Sequence, residues 1–316
     1  MLNVGWWLRR RDMRFILFGK GEGETTWRGV GLLAAVFFGS LLFAAVLTPP
    51  AYWLVEWWHH QTGSATAKWL LDKGVDVYFD RLRIGSVVLA LPWLMSQCHL
   101  WSGRALGLGL DKINLRRFAF GWLAGAALIL GLALGKGAHA KLDAGTIISA
   151  LLAGLILGFL EETIFRGMIL RIFYTATRRP WLALALMSFF FAYTHFKVPD
   201  SAWSHMAPGV HWHTGFSVAF WTMGGITEDF NAVQFLVLWL LGMTLGALVL
   251  RTGSLLPGIG LHAGLVAGLT LYRGSGLTDN WVAAGALAAI FLALAGWKPS
   301  ASRPTSNLQH PTSNNE

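Results

Sequence analysis

TIISALLAGLILGFLEETIFRGMILRIFY, residues 146–174, is apolar for most of its length and then sets Glu161, Glu162 and Arg166 in its middle. A bilayer-spanning helix needs about 20 mostly apolar residues, so the stretch is long enough to cross. An ionisable side chain held in hydrocarbon costs about 3 kcal/mol unless it is paired or hydrated, which makes these three residues the first functional candidates. On an α-helix Glu162 and Arg166 stand at i and i+4 with the acid N-terminal, so they pair along one face. Glu161 is turned about 100° from Glu162, and its own i+4 neighbour is Phe165. The spacing therefore assigns Glu162 to Arg166 as a structural partner and leaves Glu161 free for chemistry.

Outward from this stretch, the composition points to the same solvent. Of 316 residues 54% are hydrophobic and 13% charged, with 17 tryptophans and 37 glycines, too few charges for the surface of a water-soluble domain of this size. Eight apolar windows are predicted to cross a membrane: 29–48, 84–101, 118–135, 146–174, 180–196, 230–250, 254–272 and 281–297. The expected fold is an all-α, polytopic integral-membrane bundle of about eight transmembrane helices around a buried polar site. A basic cytoplasmic arm (1–28) precedes the transmembrane region (29–298), and a Ser, Thr, Asn and Pro-rich tail (299–316) is expected to be disordered. Segments 49–83 and 197–229 read as outer loops, the first with Trp53, Trp57 and Trp58 suited to a membrane-interface belt. The first apolar window is too long and too far from the N-terminus for a signal peptide and reads as a retained anchor.

The net charge of +9 is topological. With both termini cytoplasmic, 17 of the 25 Lys and Arg, from Arg9 and Arg28 through Arg116, Arg117, Arg178 and Arg179 to Arg251 and Arg303, fall in inside segments. That is the positive-inside pattern for an even number of spans with both ends inside; the expected location is a bacterial inner (cytoplasmic) membrane. No basic stripe is interleaved with stacking aromatics, so nucleic acid is not an expected partner. The single cysteine, Cys98, excludes an internal disulfide framework and a cysteine-based metal site. Gly121/Gly125, Gly131/Gly135 and the series Gly260, Gly264, Gly268 repeat at four-residue spacing, as close helix packing in membranes requires.

Two further spans place ionisable groups in the apolar region. The turn near Ala176–Pro180 separates Glu161 and His195, each about 15 residues away, so both lie roughly 22 Å along antiparallel helices. Phe191 lies one turn before His195 and can wall the site. His262 lies about 200° around its helix from the glycine series, so it faces a different neighbour. A carboxylate in an apolar site suits a general base for water, one histidine can orient that water or protonate a leaving group, and a second can stabilise an oxyanion. That makes a hydrolase for an amide bond. No cofactor is expected; the alternative is zinc held by Glu161, His195 and His262, since two His and a carboxylate with an open position is a hydrolytic arrangement. His205, His211 and His213 need no metal to explain them in a polar outer segment, and His59, His60, His99 and His139 read as interfacial.

EETIFRG (161–167) resembles the EExxxR motif of the CPBP family, which comprises the type II CAAX prenyl endopeptidases and the bacteriocin-processing, Abi-like membrane proteins. FAYTH (191–195) is similar to its FxxxH motif, and LHAGL (261–265) to the start of its HxxxN or HxxxD motif. The resemblance covers about 146–272. It implies an eight-helix intramembrane protease of the glutamate type, with Glu161 activating water, His195 helping to hold it, Glu162 and Arg166 as a supporting pair, and His262 at the oxyanion site. The family's fourth polar position, four residues after that histidine, is Val266 here. The expected substrate is a membrane-anchored protein or peptide; a non-catalytic scaffold or immunity protein of the same fold is the alternative.

Overall fold

A computed structural model of the chain describes residues 27–97, 103, 106–195, 209–228, 231–272 and 280–296. Nearly all of the predicted arm, the tail from 299, and Cys98, His99 and His205 lie outside the described residues. Every regular element among the described residues is helical: α1 (Arg28–Thr62), α2 (Ala65–Leu71), α3 (Val75–Gln97), α4 (Lys112–Gly135), α5 (Ala144–Glu162), a π-helical turn (Thr163–Ile169), α6 (Leu170–Thr177), α7 (Pro180–Tyr193), α8 (Thr214–Glu228), α9 (Ala232–Thr252), α10 (Leu256–Leu271) and α11 (Trp281–Gly296).

Four segments are long and apolar enough to cross a membrane: α1, α4, the continuous run Ala144–Thr177, and α9. The helices α7, α10 and α11 are apolar but shorter. At 14 residues, α7 extends only about 21 Å, less than the roughly 30 Å of a hydrocarbon core. The expectation of about eight crossings is therefore met in part. The surface is inverted relative to a soluble protein. Along α5, Ile148, Leu151, Leu152, Leu155, Ile156 and Phe159 are exposed, whereas Glu162 and Arg166 are fully buried. Exposed apolar area on this scale marks a lipid-facing surface.

Two expected loops are corrected. The segment 49–83 does not leave the membrane helix at residue 48: α1 continues through Pro49 and Pro50 to Thr62 and ends on left-handed Gly63. Proline removes an intrahelical donor, and a neighbouring element can take up the freed backbone. Gly215 of α8 meets that stretch, where a Cβ would run into the Ala45 carbonyl oxygen. The segment 197–229 likewise contains the helix α8, which packs on α1 and α3.

The helix α10 is layered between α4 and α5, and glycine on both sides sets that distance. A Cβ at Gly260 would strike the Phe118 carbonyl and one at Gly264 the Trp122 carbonyl, while on α4 a Cβ at Gly121 or Gly125 would strike the Pro257 or Leu261 carbonyl. On the opposite side Gly154 and Gly158 of α5 rest on Ala263 of α10. Gly131 and Gly135, expected to pack in the same way, have nothing near them. The helix α9 packs against α7 and α11. The two sets of helices meet where α5, α7 and α10 come together, and the buried charges lie there.

Candidate active site

The end of α5 delivers both carboxylates. Asp143 caps its start, accepting from the Thr146 backbone N–H and hydroxyl, and the helix then runs to Glu162. There the backbone widens into the π-turn, with the Leu170 N–H donating to the Phe165 carbonyl five residues back. Such widened turns recur at functional sites. Arg166 Nη1 donates to Glu162 Oε1 at 2.9 Å, with both side chains fully buried. The pairing expected from helical spacing thus exists, on a π-turn rather than an α-helix. Residues four apart still share a face there.

The other candidates converge on Glu161. His195 Nε2 lies 3.6 Å and His262 Nε2 3.7 Å from the same Glu161 oxygen, Oε2. His195 stands just beyond the end of α7, where its Nδ1 meets the Phe191 carbonyl at 2.7 Å. A carbonyl only accepts, so Nδ1 carries the proton and, in the neutral ring, Nε2 presents its lone pair to Glu161. His262 Nδ1 meets Glu162 Oε1 at 2.9 Å. The carboxylate is an acceptor there as well, which directs the Nε2 of a neutral His262 ring toward Glu161 as an acceptor.

Two features exceed the sequence reading. The carboxylates are not separate devices, because His262 bridges them, one nitrogen on each. Phe191, expected only as a wall, is fully buried and sits between Arg166 and His195. The Arg166 guanidinium carbon lies 4.4 Å from its ring centroid and the His195 ring 4.4 Å from it, with Phe165 edge-on at 5.0 Å. A cation over an aromatic face is stabilised by the ring quadrupole. This matters because Arg166 Nε and Nη2 are buried with no hydrogen-bond partner. Gly258 was also missed as a site residue: a Cβ there would stand 3.0 Å from Glu162 Oε2. Its sequence signal was the absence of a side chain one turn before His262.

Exposure grades the cluster. The Glu162 side chain has none, that of His262 has 7%, and those of Glu161 and His195 have 25% and 32%. Glu161 and His195 therefore form the accessible side, backed by the buried His262, Glu162, Arg166 and Phe191. Val266 stands one turn beyond His262 and offers no side-chain donor; its carbonyl accepts from Thr270 Oγ1. Among the described residues no group of three His, Cys, Asp or Glu side chains could hold a metal ion. His211 and His213 stack on each other at 5.5 Å, on the segment leading into α8.

Residues 143–268 match the family model described as Type II CAAX prenyl endopeptidase Rce1-like. The match spans 126 of the 316 residues, beginning at the α5 N-cap and ending in α10, and it contains every residue of the cluster. Comparison with curated proteins and with solved structures returns no match. The apolar helices and the family match together indicate an integral membrane protein.

Proposed function

We propose that this chain, a member of the Rce1-like type II CAAX prenyl endopeptidase family through its residues 143–268, is an intramembrane endopeptidase in which Glu161 activates the attacking water. The observation that carries the reading is the convergence of two imidazole nitrogens on one Glu161 oxygen. With both Nδ1 atoms committed to acceptors, three lone-pair-bearing atoms face one another. A proton donor joining them relieves that arrangement, and a water molecule is such a donor.

The chemistry follows from the exposure gradient. Glu161 takes a proton from water as its oxygen attacks the peptide carbonyl carbon. That proton passes from Glu161 to His195 Nε2, on the accessible side, which delivers it to the leaving amine as the C–N bond breaks. Uptake of a solvent proton by His262, stabilised by Glu162, turns its Nε2 from an acceptor into an N–H donor for the oxyanion. That donor stands in for a side chain at Val266. Arg166 pairs with Glu162, and the Phe191 ring keeps Arg166 in place. The substrate is a membrane-anchored protein or peptide, delivered laterally to a site among apolar helices.

Purified protein should cleave a panel of membrane-anchored peptides, and Glu161→Ala and His195→Ala should each abolish cleavage while the helical circular-dichroism signal and thermal unfolding in detergent persist. Activity retained in both variants would overturn the assignment. Chelators should leave cleavage intact; inhibition reversed by added zinc would favour the metal-dependent alternative. A non-catalytic scaffold of the same fold predicts instead that Glu161→Gln leaves the cellular phenotype unchanged.

A further inference from the structure

At the start of α6, about 15 Å along the helix from Glu161, Arg171 is a second buried guanidinium that the cleavage chemistry does not use. It lies within the membrane-length run Ala144–Thr177 and is 6% exposed. Arg166 has Glu162 and the face of Phe191; among the described residues Arg171 has neither a carboxylate nor an aromatic face. Its Nε is enclosed and has no hydrogen-bond partner. The two terminal nitrogens also bond to no described residue but are not enclosed, so the fork opens at its tips. Thr175, one turn on, donates its hydroxyl to the Arg171 carbonyl, a bond that leaves the guanidinium unserved. Arginine stays protonated in a protein, and an uncompensated charge held away from water costs several kcal/mol. The missing counter-ion therefore points outside the chain.

The neighbours of Arg171 indicate which anion fits. Gly167, one turn earlier, lies between two leucines: a Cβ there would stand 3.3 Å from Leu106 and 3.2 Å from Leu255. The Leu255 N–H donates to the Gly107 carbonyl at 2.9 Å. Beside Arg171, Ile172 packs on Gly29 of α1. Arg171 thus belongs to the end of the bundle where α1, α4 and α10 begin and α6 and α9 finish. The termini gathered there carry Arg28, Lys112, Arg178, Arg179 and Arg251. Asp111, the carboxylate at the start of α4, is engaged as a cap, accepting from the Asn114 backbone and side-chain N–H. From Arg171 to Arg178 is roughly 10 Å of helix, and a long basic side chain on an apolar surface extends its head toward the polar layer. The anion of that layer is phosphate, whose oxygens accept two parallel bonds from a guanidinium fork, and basic pockets between membrane helices hold lipid headgroups in this way.

We infer that Arg171 is the centre of a phosphate-binding site at the basic end of the bundle, with the terminal nitrogens of Arg171 on the phosphate oxygens. A phospholipid headgroup and free phosphate share this chemistry. The site is separate from the Glu161 cluster and does not depend on the protease reading.

The experiment reads the thermal midpoint of full-length protein in a neutral detergent. Phosphatidylglycerol is compared with diacylglycerol of the same chains, and inorganic phosphate with chloride at equal ionic strength. A phosphate source should raise the wild-type midpoint by about 5 °C at a hundredfold excess over Kd, whereas diacylglycerol and chloride should not. A rise with the lipid alone identifies the headgroup as the source, and a rise with inorganic phosphate identifies a site open to the free anion. Arg171→Met should bring the rise to about zero, Arg171→Lys should retain part of it, and Glu161→Gln should retain all of it. No rise from either phosphate source in the wild type overturns the site, even if the Arg171 variants fail to fold. So does a rise that persists in Arg171→Met and falls instead with Lys112→Gln or Arg179→Gln, which would mark diffuse surface charge. A rise lost in Glu161→Gln would put the anion in the catalytic cluster and overturn the site as well.

Discussion

Glu162 and Arg166 are both fully buried and joined at 2.9 Å, so each is the other's counter-charge. Removing one partner of a buried ion pair leaves an uncompensated charge, and Glu162→Gln should destabilise the protein by about 3 kcal/mol. Arg166→Met added to it should recover part of that loss. A double-mutant cycle of thermal unfolding in detergent checks this; additive effects would mean that the pair is not coupled. Phe191→Ala removes the ring between Arg166 and His195 and should cost about 3–5 kcal/mol. Phe191→Leu should cost less in stability yet still lower cleavage, because the Leu side chain offers Arg166 no aromatic face. At this scale much was legible in sequence. The i, i+4 spacing announced Glu162–Arg166, and equal distances from the Ala176–Pro180 turn announced Glu161–His195. The bridge from His262 to both carboxylates was not legible. It depends on how α10 is rotated between two neighbours, and one-dimensional spacing does not record that rotation.

The glycines make the sharpest contrast among the elements. Gly264→Ala drives a Cβ into the Trp122 carbonyl, a backbone atom that cannot step aside, and should cost about 1–3 kcal/mol. Gly131→Ala and Gly135→Ala meet open space and should be neutral or stabilise α4 by about 0.5–1 kcal/mol, since alanine loses less chain entropy in a helix. Thermal midpoints of the three variants decide it; the reverse order would contradict the seam between α4 and α10. Sequence spacing alone gave both glycine pairs of α4 the same weight, because the repeat does not say which face meets a partner. The start of α5 adds a pH dependence. The Asp143 carboxyl is held below the usual carboxylate range, chiefly by the Thr146 hydroxyl. Its contribution is therefore present above the unfolded-state value and is lost as pH falls through the lower folded one. Asp143→Ala should flatten the stability profile only in the acid range, with the two proteins converging below it. The π-turn after Glu162 and the passage of α1 through Pro49–Pro50 had no readable signal. Both are backbone departures held in place by neighbours, at the cluster and at Gly215.

Across the described residues, hydropathy was a good guide to which segments are helical. The first half of α3 carries charges from Asp76 to Arg83, and α7, α10 and α11 are apolar but shorter than the four long segments. The polar cluster sits where α5, α7 and α10 converge, within the stretch that matches the prenyl endopeptidase family model. The central claim is that Glu161, faced by two histidines, is the base that activates water. Its most direct test is the single-turnover cleavage rate of a membrane-anchored peptide by reconstituted Glu161→Gln, an isosteric change at one oxygen. The account predicts a fall of about 10²–10⁴-fold with peptide affinity and thermal stability retained. A rate within a few-fold of wild type would contradict it.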